Sequence, residues 1–227
     1  GDFAAAARSV LMVGEHPDDD ERRVLALMKS NLAKKPASLS FHIAEDGGFA
    51  WERGTVDITA NDLVIKACVG ALEKYPSFNA SFGEDGLQMH AQINIGVAIA
   101  EEEGLIVPAI MDCAGKSLVE LAAASKDLVA RAKSGTLHPQ EYTGGTFTIS
   151  VLGSVDGFTP ILNAGQSAIL GVGRSVEKPV VKGGDVVVRE MMTVSLTVDH
   201  QVIDGALAAG FLRRLQQIVG RPAALFK

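Results

Sequence analysis

A single change of period fixes most of what the C-terminal part of this chain can become. Across residues 193–198 the apolar side chains Val194, Leu196 and Val198 alternate with Thr193, Ser195 and Thr197. A period of two describes a strand with one apolar face and one face of small hydroxyl side chains. After Gly205 the period becomes helical, because Leu207, Phe211, Leu215 and Ile218 recur at the spacing of one helix face. Asp204 therefore falls at the N-cap, where a carboxylate accepts a free N–H of the first turn. His200 falls in the tight connection between strand and helix, a place from which an imidazole can be aimed into a cleft. The same residues also admit a plainer role, in which Asp204 only caps the helix and His200 is a loop histidine bonded to nearby backbone.

The wording of that connection, DHQVIDG over residues 199–205, resembles the DHRxxDG signature of the dihydrolipoamide acyltransferases, the core components of 2-oxoacid dehydrogenase complexes. Chloramphenicol acetyltransferase, a distant relative, shares the His-x-x-x-Asp-Gly skeleton. The resemblance continues upstream in the family's order through ITANDLVIKA (58–67), YPSFNASF (75–82), GLIVPAI (104–110), YTGGTFTISVLG (142–153) and FTPILNAGQSAILGVG (158–173). It implies a chloramphenicol-acetyltransferase-like fold, an α/β two-layer sandwich of a mostly mixed β-sheet and packed helices. The implied activity is transfer of an acyl group between a dihydrolipoyl thiol and coenzyme A, with FTISVLG and FTPILN favouring acetyl. Coenzyme A would be a substrate, and the lipoyl group would be carried on another domain. The implied partners are a homotrimer or larger core assembly, lipoyl domains, and the other components of a 2-oxoacid dehydrogenase complex such as the pyruvate dehydrogenase complex. The implied compartment is cytoplasmic or the mitochondrial matrix. Relatives of the dihydrolipoamide-dehydrogenase-binding kind, called protein X, can carry this core as a structural element without the chemistry. Keeping both His200 and Asp204 argues against that alternative. Two features depart from the family: Gln201 stands where arginine is usual, and the helix that relatives place before NDLVIKA has no counterpart near residues 46–57.

Acyl transfer between thiols needs a base near neutral pKa beside the attacking sulfur, and within the resemblance His200 takes that role. Charge developing on the thioester oxygen needs a fixed donor, which the resemblance assigns to Ser150. Asp204 would hold the corner in shape. Leu170, in AILGV, matches a position lining the pantetheine and lipoyl channel, although a buried strand leucine needs no such role. Within TFTISVLG, Phe147, Ile149 and Val151 share one face, and Thr146, Thr148 and Ser150 share the other, which is either solvated or functional.

The rest of the chain adds elements and exclusions. With 227 residues and 47% hydrophobic composition, the chain is long enough for one well-buried domain and short for two. The expected division is an N-terminal arm over 1–20 and the acyltransferase core over 21–227. The absence of a lipoyl-bearing Asp-Lys-Ala loop and of a Pro/Ala-rich linker suggests a core domain or a fragment without its swinging arm. A net charge of −6 argues against a nucleic-acid or anionic-membrane partner, and no apolar run has the length of a membrane span. Cys68 and Cys113 lie far apart and form no CxxC, which points to a reducing compartment. VLMVGEHPDDDE (10–21) has the look of the HPDD(E) motif of zinc-dependent deacetylases, in which His16, Asp18 and Asp19 would meet a metal. A third ligand and a glycine-rich turn are missing, so no metal is expected; an acidic turn capping a helix from about Asp20 is expected instead.

Ser38–Glu45 reads as a strand and Asp46–Gly54 as a loop. A helix capped by Thr59 or Asn61 runs to before Pro76, with Leu63, Ala67, Gly70 and Ala71 as its packing face and Lys66 as a solvated lysine. Short strands follow in INIGVAIA, LIVPAI, TFTISVLG and AILGVGR, and the helix SLVELAAASKDLVARAKSG spans Ser117–Gly135. Without a Walker or GxGxxG pattern after a strand, the glycines at 144, 145, 153, 157, 171 and 173 read as turn and packing residues rather than a phosphate cradle.

Overall fold

A computed structural model describes residues 9–16, 19–30, 39–43, 49–52, 58–101, 104–221 and 225, and before residue 58 it gives the course of the strands alone. Four strands open the chain, β1 (Ser9–His16), β2 (Asp19–Ser30), β3 (Leu39–Ile43) and β4 (Phe49–Glu52), paired antiparallel in that order. The helix expected from about Asp20 is therefore strand, and the 46–54 loop contains one. ERRVLALMKS is rich in helix formers, but propensity is a weak prior, and here the β-branched run before it supplies a partner, with Met12 opposite Ala26 and Val13 opposite Leu25. The boundary expected at residue 20 falls inside β2. His16 lies opposite Asp19 at the turn end of this hairpin, while the side chains of His16, Asp18 and Asp19 lie outside the described residues.

From Thr59 onward the sequence signals become local structure. Helix α1 (Ala60–Leu72) starts in a capping box: the Asp62 N–H donates to Thr59 Oγ1, and Asp62 Oδ2 accepts the Thr59 N–H at 2.7 Å. It is buried on more than the narrow face expected, through Val64, Ile65, Cys68, Val69 and Leu72 as well as Ala67 and Ala71. A 3-10 turn (Pro76–Phe78) leads to the hairpin β5 (Ala80–Gly83) and β6 (Gly86–Met89), and then come β7 (Ile95–Val97), β8 (Ile99–Glu101), β9 (Gly104–Ile106) and β10 (Ala109–Ile110). Helix α2 (Leu118–Ser134) has a second capping box between Ser117 and Glu120 and is followed by the short helix α3 (Pro139–Thr143). The last elements are β11 (Phe147–Leu152), β12 (Ala168–Lys182), β13 (Asp185–Val198) and α4 (Gly205–Val219).

The central sheet runs β10-β7-β11-β12-β13. It is mixed, since β7–β11 and β11–β12 are parallel and the two outer pairings antiparallel. Helices pack against one face, giving the two-layer α/β sandwich expected. Row by row, Ile149, Leu170 and Leu196 lie side by side, as do Val151, Val172 and Val194, and both rows join the core with α1 and α4. Phe211 of α4 anchors the layers: its ring stacks on Phe78 at 4.4 Å and sits 5.8 Å from Phe147. Burying one such ring contributes roughly 1.5–3 kcal/mol, and it fixes the helix that Asp204 caps.

β12 and β13 are far longer than the strands read from the sequence. They form one hairpin from Ala168↔Val198 to Lys182↔Asp185, closed by Gly183 and Gly184 at φ 63° and 95°. Positive φ at both loop residues suits the turn that matches strand twist, and glycine reaches it without strain.

The α2–α3 junction is held by a partly buried ion pair. Glu141 accepts Arg131 Nη1–H and Nη2–H at 2.5 and 2.7 Å, and its Oε2 also accepts the His138 N–H at 2.7 Å. Hydrogen bonds from Arg131 pull its carboxyl down from 4.5 to about 2. A depressed acid contributes stability fully above its unfolded pKa, near 4.3, and loses it as pH falls toward the folded value. The side chain is only 11% exposed, so the contribution is on the order of 2–3 kcal/mol. Glu141→Gln is expected to lower the unfolding free energy at pH 7 by about that amount and to flatten its decline between roughly pH 5 and pH 2. Urea unfolding of both proteins at neutral and acid pH tests this, and equal acid sensitivity would refute it.

Candidate active site

The corner between β13 and α4 has the shape its sequence announces. Asp199 organises it: its N–H donates to Ser167 O at 2.9 Å, its O accepts the N–H groups of Val202 and Ile203 at 3.0 Å, and its Oδ1 accepts the Gln201 N–H at 2.9 Å. This is an Asx-type turn. Ile203, fully buried, plugs it into the core. Asp204 Oδ1 accepts the Leu207 N–H at 2.8 Å, the N-cap bond that starts α4. His200 stands exposed on this turn, held by backbone bonds of its neighbours and by no side-chain bond of its own among the described residues.

Ser150 lies elsewhere. It sits on β11, opposite Gly171 of β12, which in turn lies opposite Ser195 of β13. His200 is five residues beyond Ser195 along β13 and its turn, and two strand spacings separate β11 from β13. With about 3.3 Å per residue and about 4.8 Å per strand, the two backbones are on the order of 15–20 Å apart within one chain. The chain thus brings His200 and Asp204 together and leaves Ser150 on its own.

The face that carries Ser150 is the one turned away from the helices, and it is not solvated as one sequence alternative had it. Thr146 and Thr148 are buried and fully partnered: Thr146 Oγ1 donates to Asn79 Oδ1 at 2.6 Å, and Thr148 Oγ1 donates to Gln166 Oε1 at 2.7 Å while accepting Asn163 Nδ2–H at 2.9 Å. Through these amides the segment 156–166 is laid across the sheet. Thr197 Oγ1 donates to Pro160 O at 2.7 Å, and a Cβ on Gly171 would come within 3.0 Å of Pro160 and 3.2 Å of Phe158. A Cβ on Gly173 would lie 2.1 Å from Asp156 O, so that glycine is a packing requirement, as expected. Ser150, half-buried and with no hydrogen-bond partner for its hydroxyl among the described residues, marks the rim where this cover ends. Sequence reasoning passed over Asn163, Gln166 and Asp199, and Gly157, Pro160 and Gly165 were the available punctuation for the covering loop.

Leu170 is fully buried and belongs to the opposite, helix-covered face, between Ile149 and Leu196. Its position is that of a core residue, and the expectation of a channel wall draws no support from it. Lys66 is not a plain solvated lysine: its ammonium donates to Lys116 O at 2.6 Å and ties α1 to the start of α2. Both cysteines are free and buried, and burial raises the Cys113 thiol to about 11 and the Cys68 thiol further. Neither is a nucleophile at neutral pH.

With this geometry in place, comparison with known proteins is informative. The 2-oxoacid dehydrogenases acyltransferase (catalytic domain) family matches residues 45–227. The dihydrolipoyllysine-residue acetyltransferase component of the pyruvate dehydrogenase complex from Rickettsia felis is 40% identical over 170 residues, covering 74% of this chain and 41% of that protein. Its counterpart from Staphylococcus epidermidis is 39% identical over 180 residues, covering 78% and 41%. The chain thus spans about two-fifths of the length of these curated relatives. Among solved structures, the cubic core of the pyruvate dehydrogenase multienzyme complex matches with a TM-score of 0.70 at 39% identity, covering 75% of this chain and 72% of that one. The dihydrolipoamide acetyltransferase of Azotobacter vinelandii, studied for the roles of a serine, a histidine and an asparagine in its catalytic mechanism, matches with a TM-score of 0.70 at 38% identity, covering 75% and 72%.

Proposed function

This chain belongs to the family of 2-oxoacid dehydrogenase acyltransferase catalytic domains, and we propose that it moves an acetyl group between a dihydrolipoyl thiol and coenzyme A at the core of a pyruvate dehydrogenase complex. The observation that carries the reading is the His200 turn, which presents an imidazole on a backbone fixed at four points, its ring bonded to none of the described residues. Neutral His200 takes the proton of the coenzyme A thiol. The thiolate attacks the acetyl carbonyl of the thioester, and the oxyanion that forms accepts a hydrogen bond from Ser150 Oγ. Collapse expels the dihydrolipoyl thiolate, which recovers the proton from the imidazolium. Asp204 acts on position alone, by capping α4 beneath the turn. Serine and histidine are the residue kinds named for the Azotobacter vinelandii enzyme, with Asp204 an acid where an amide is named there.

The separation of Ser150 from His200 within one chain calls for a second copy, so the working unit is a trimer or larger core. The far half of the β12–β13 hairpin supports this. It leaves Val181, Val186 and Val188 exposed at 75%, 72% and 69%, an apolar tip suited to a neighbouring subunit. Lipoyl domains and the other components of the complex are the remaining partners. Buried free thiols fit a reducing compartment, the bacterial cytoplasm or the mitochondrial matrix, and no described helix is long and apolar enough to cross a membrane.

The test is direct. The purified chain, mixed with coenzyme A and acetyl-, isobutyryl- or succinyl-dihydrolipoamide, is expected to form acetyl-coenzyme A fastest. A preference for another acyl group would overturn the acetyl assignment. No turnover with any of the three would favour a structural, protein X-like core.

A further inference from the structure

The root of the His200 turn is fixed deep in the fold. Ser167 is buried, donates its N–H to Ala80 O at 3.0 Å and its Oγ–H to Ser77 O at 2.9 Å, and its own O accepts the Asp199 N–H at 2.9 Å. The far side is closed by the N–H groups of Val202 and Ile203 on Asp199 O, both at 3.0 Å. At Asp199 these bonds use main-chain atoms, which any residue but proline would supply there. The remaining bond, in which Asp199 Oδ1 accepts the Gln201 N–H at 2.9 Å, needs a short side chain ending in an acceptor, and it is the only bond of that side chain among the described residues. It runs from the residue before His200 to the residue after it. The ring it closes therefore includes His200 Cα and restricts ψ of Asp199 and both dihedrals of His200, which set the direction in which the imidazole leaves the backbone.

We propose that Asp199 is a positioning residue for acyl transfer: its carboxylate, through the Gln201 amide, holds the His200 backbone in the conformer that aims the imidazole at the thiol. The inference rests on the reading of His200 as the base. Asp199 itself touches neither substrate and moves no proton. His200 and Gln201 are exposed and make no other hydrogen bond among the described residues. Without the ring, this stretch spreads over further conformers between a root and a far side that both stay in place. Losing one net hydrogen bond shifts such an equilibrium by about three- to tenfold, and the rate falls with the competent fraction.

Steady-state acetyl transfer from acetyl-dihydrolipoamide to coenzyme A tests this on the purified chain and its variants. In Asp199→Ala, kcat should fall about three- to tenfold while KM for both substrates stays within about twofold, because the substrates bind whichever way the imidazole points. Asp199→Asn keeps an Oδ1 in place and should recover most of the loss. Asp199→Glu keeps the charge but carries its acceptor a methylene farther out, and should stay as low as alanine. Added to His200→Ala, Asp199→Ala should lower the residual rate no further, since nothing is left to position. Amide exchange in peptides spanning Gln201, followed by mass spectrometry, reads the bond without turnover: it should quicken in the alanine and glutamate variants and not in asparagine. Should Asp199→Ala fail to fold, Asp199→Glu carries the same comparison. Asparagine no better than alanine, a loss borne by KM, unchanged exchange at Gln201, or a further loss in the His200→Ala background would each overturn the proposal. Unchanged turnover in His200→Ala is a different failure, since it removes the base on which the inference rests.

Discussion

Replacing His200 by alanine is expected to cut acetyl transfer by roughly 10²–10⁴-fold, the range for losing a positioned general base, while the unfolding midpoint stays close to that of the parent. The two halves of this expectation rest on separate observations. The rate falls because the imidazole is the group proposed to take the thiol proton. The fold survives because the turn is built by Asp199, Ser167 and buried Ile203, and an exposed side chain away from such features changes stability by about ±0.5 kcal/mol. The loss should fall on kcat rather than on KM, since a base acts in the transition state and adds little to substrate binding. Asp204→Ala provides the contrast. It removes an N-cap and should cost about 1 kcal/mol of stability, so its rate and its midpoint should move together. Unchanged turnover in His200→Ala, with circular dichroism showing a folded protein, would end the mechanism.

What the sequence disclosed about this site follows the range of the forces involved. The β13–α4 corner was legible because its determinants are local: a switch of period at Gly205 and an N-cap three residues before the N–H it accepts. The capping boxes at Thr59–Asp62 and Ser117–Glu120 are legible for the same reason. The long hairpin was not. Residues 175–192 run as SVEKPVVKGGDVVVREMM, and because none of them is fully buried and the half-buried positions include Lys178 and Arg189, no apolar-in, polar-out contrast marks the arm; Gly183-Gly184 between two valine runs was the one usable cue. The hydroxyl face of β11 was ambiguous because its partners are distant, Thr146 bonding Asn79 and Thr148 bonding Gln166. A threonine facing water and a threonine facing an amide look alike in one dimension. β2 failed differently, through a helix-forming composition overruled by a neighbouring strand.

The separation of Ser150 from His200 could be measured only once register was known, and it makes an unusual demand on mutants. If each site joins His200 of one subunit to Ser150 of the next, a single substitution damages every site in a pure assembly. In an equal, random mixture of His200→Ala and Ser150→Ala chains, half of the subunits offer an intact His200 and half of their neighbours an intact Ser150. About a quarter of the interfaces are then fully native. Losing the base costs roughly 10²–10⁴-fold and losing an oxyanion donor roughly 10²–10³-fold, so either parent alone retains at most about 1% of native turnover. Co-expressed chains should therefore recover about a quarter of native activity, more than twenty times either parent. The recovery cannot come from within a chain, because no chain in the mixture carries both residues. Mixed assemblies confirmed by mass, yet showing only the mean of the two parental rates, would place the whole site in one subunit and would require the 15–20 Å gap implied by the strand register to close by a movement of the His200 turn.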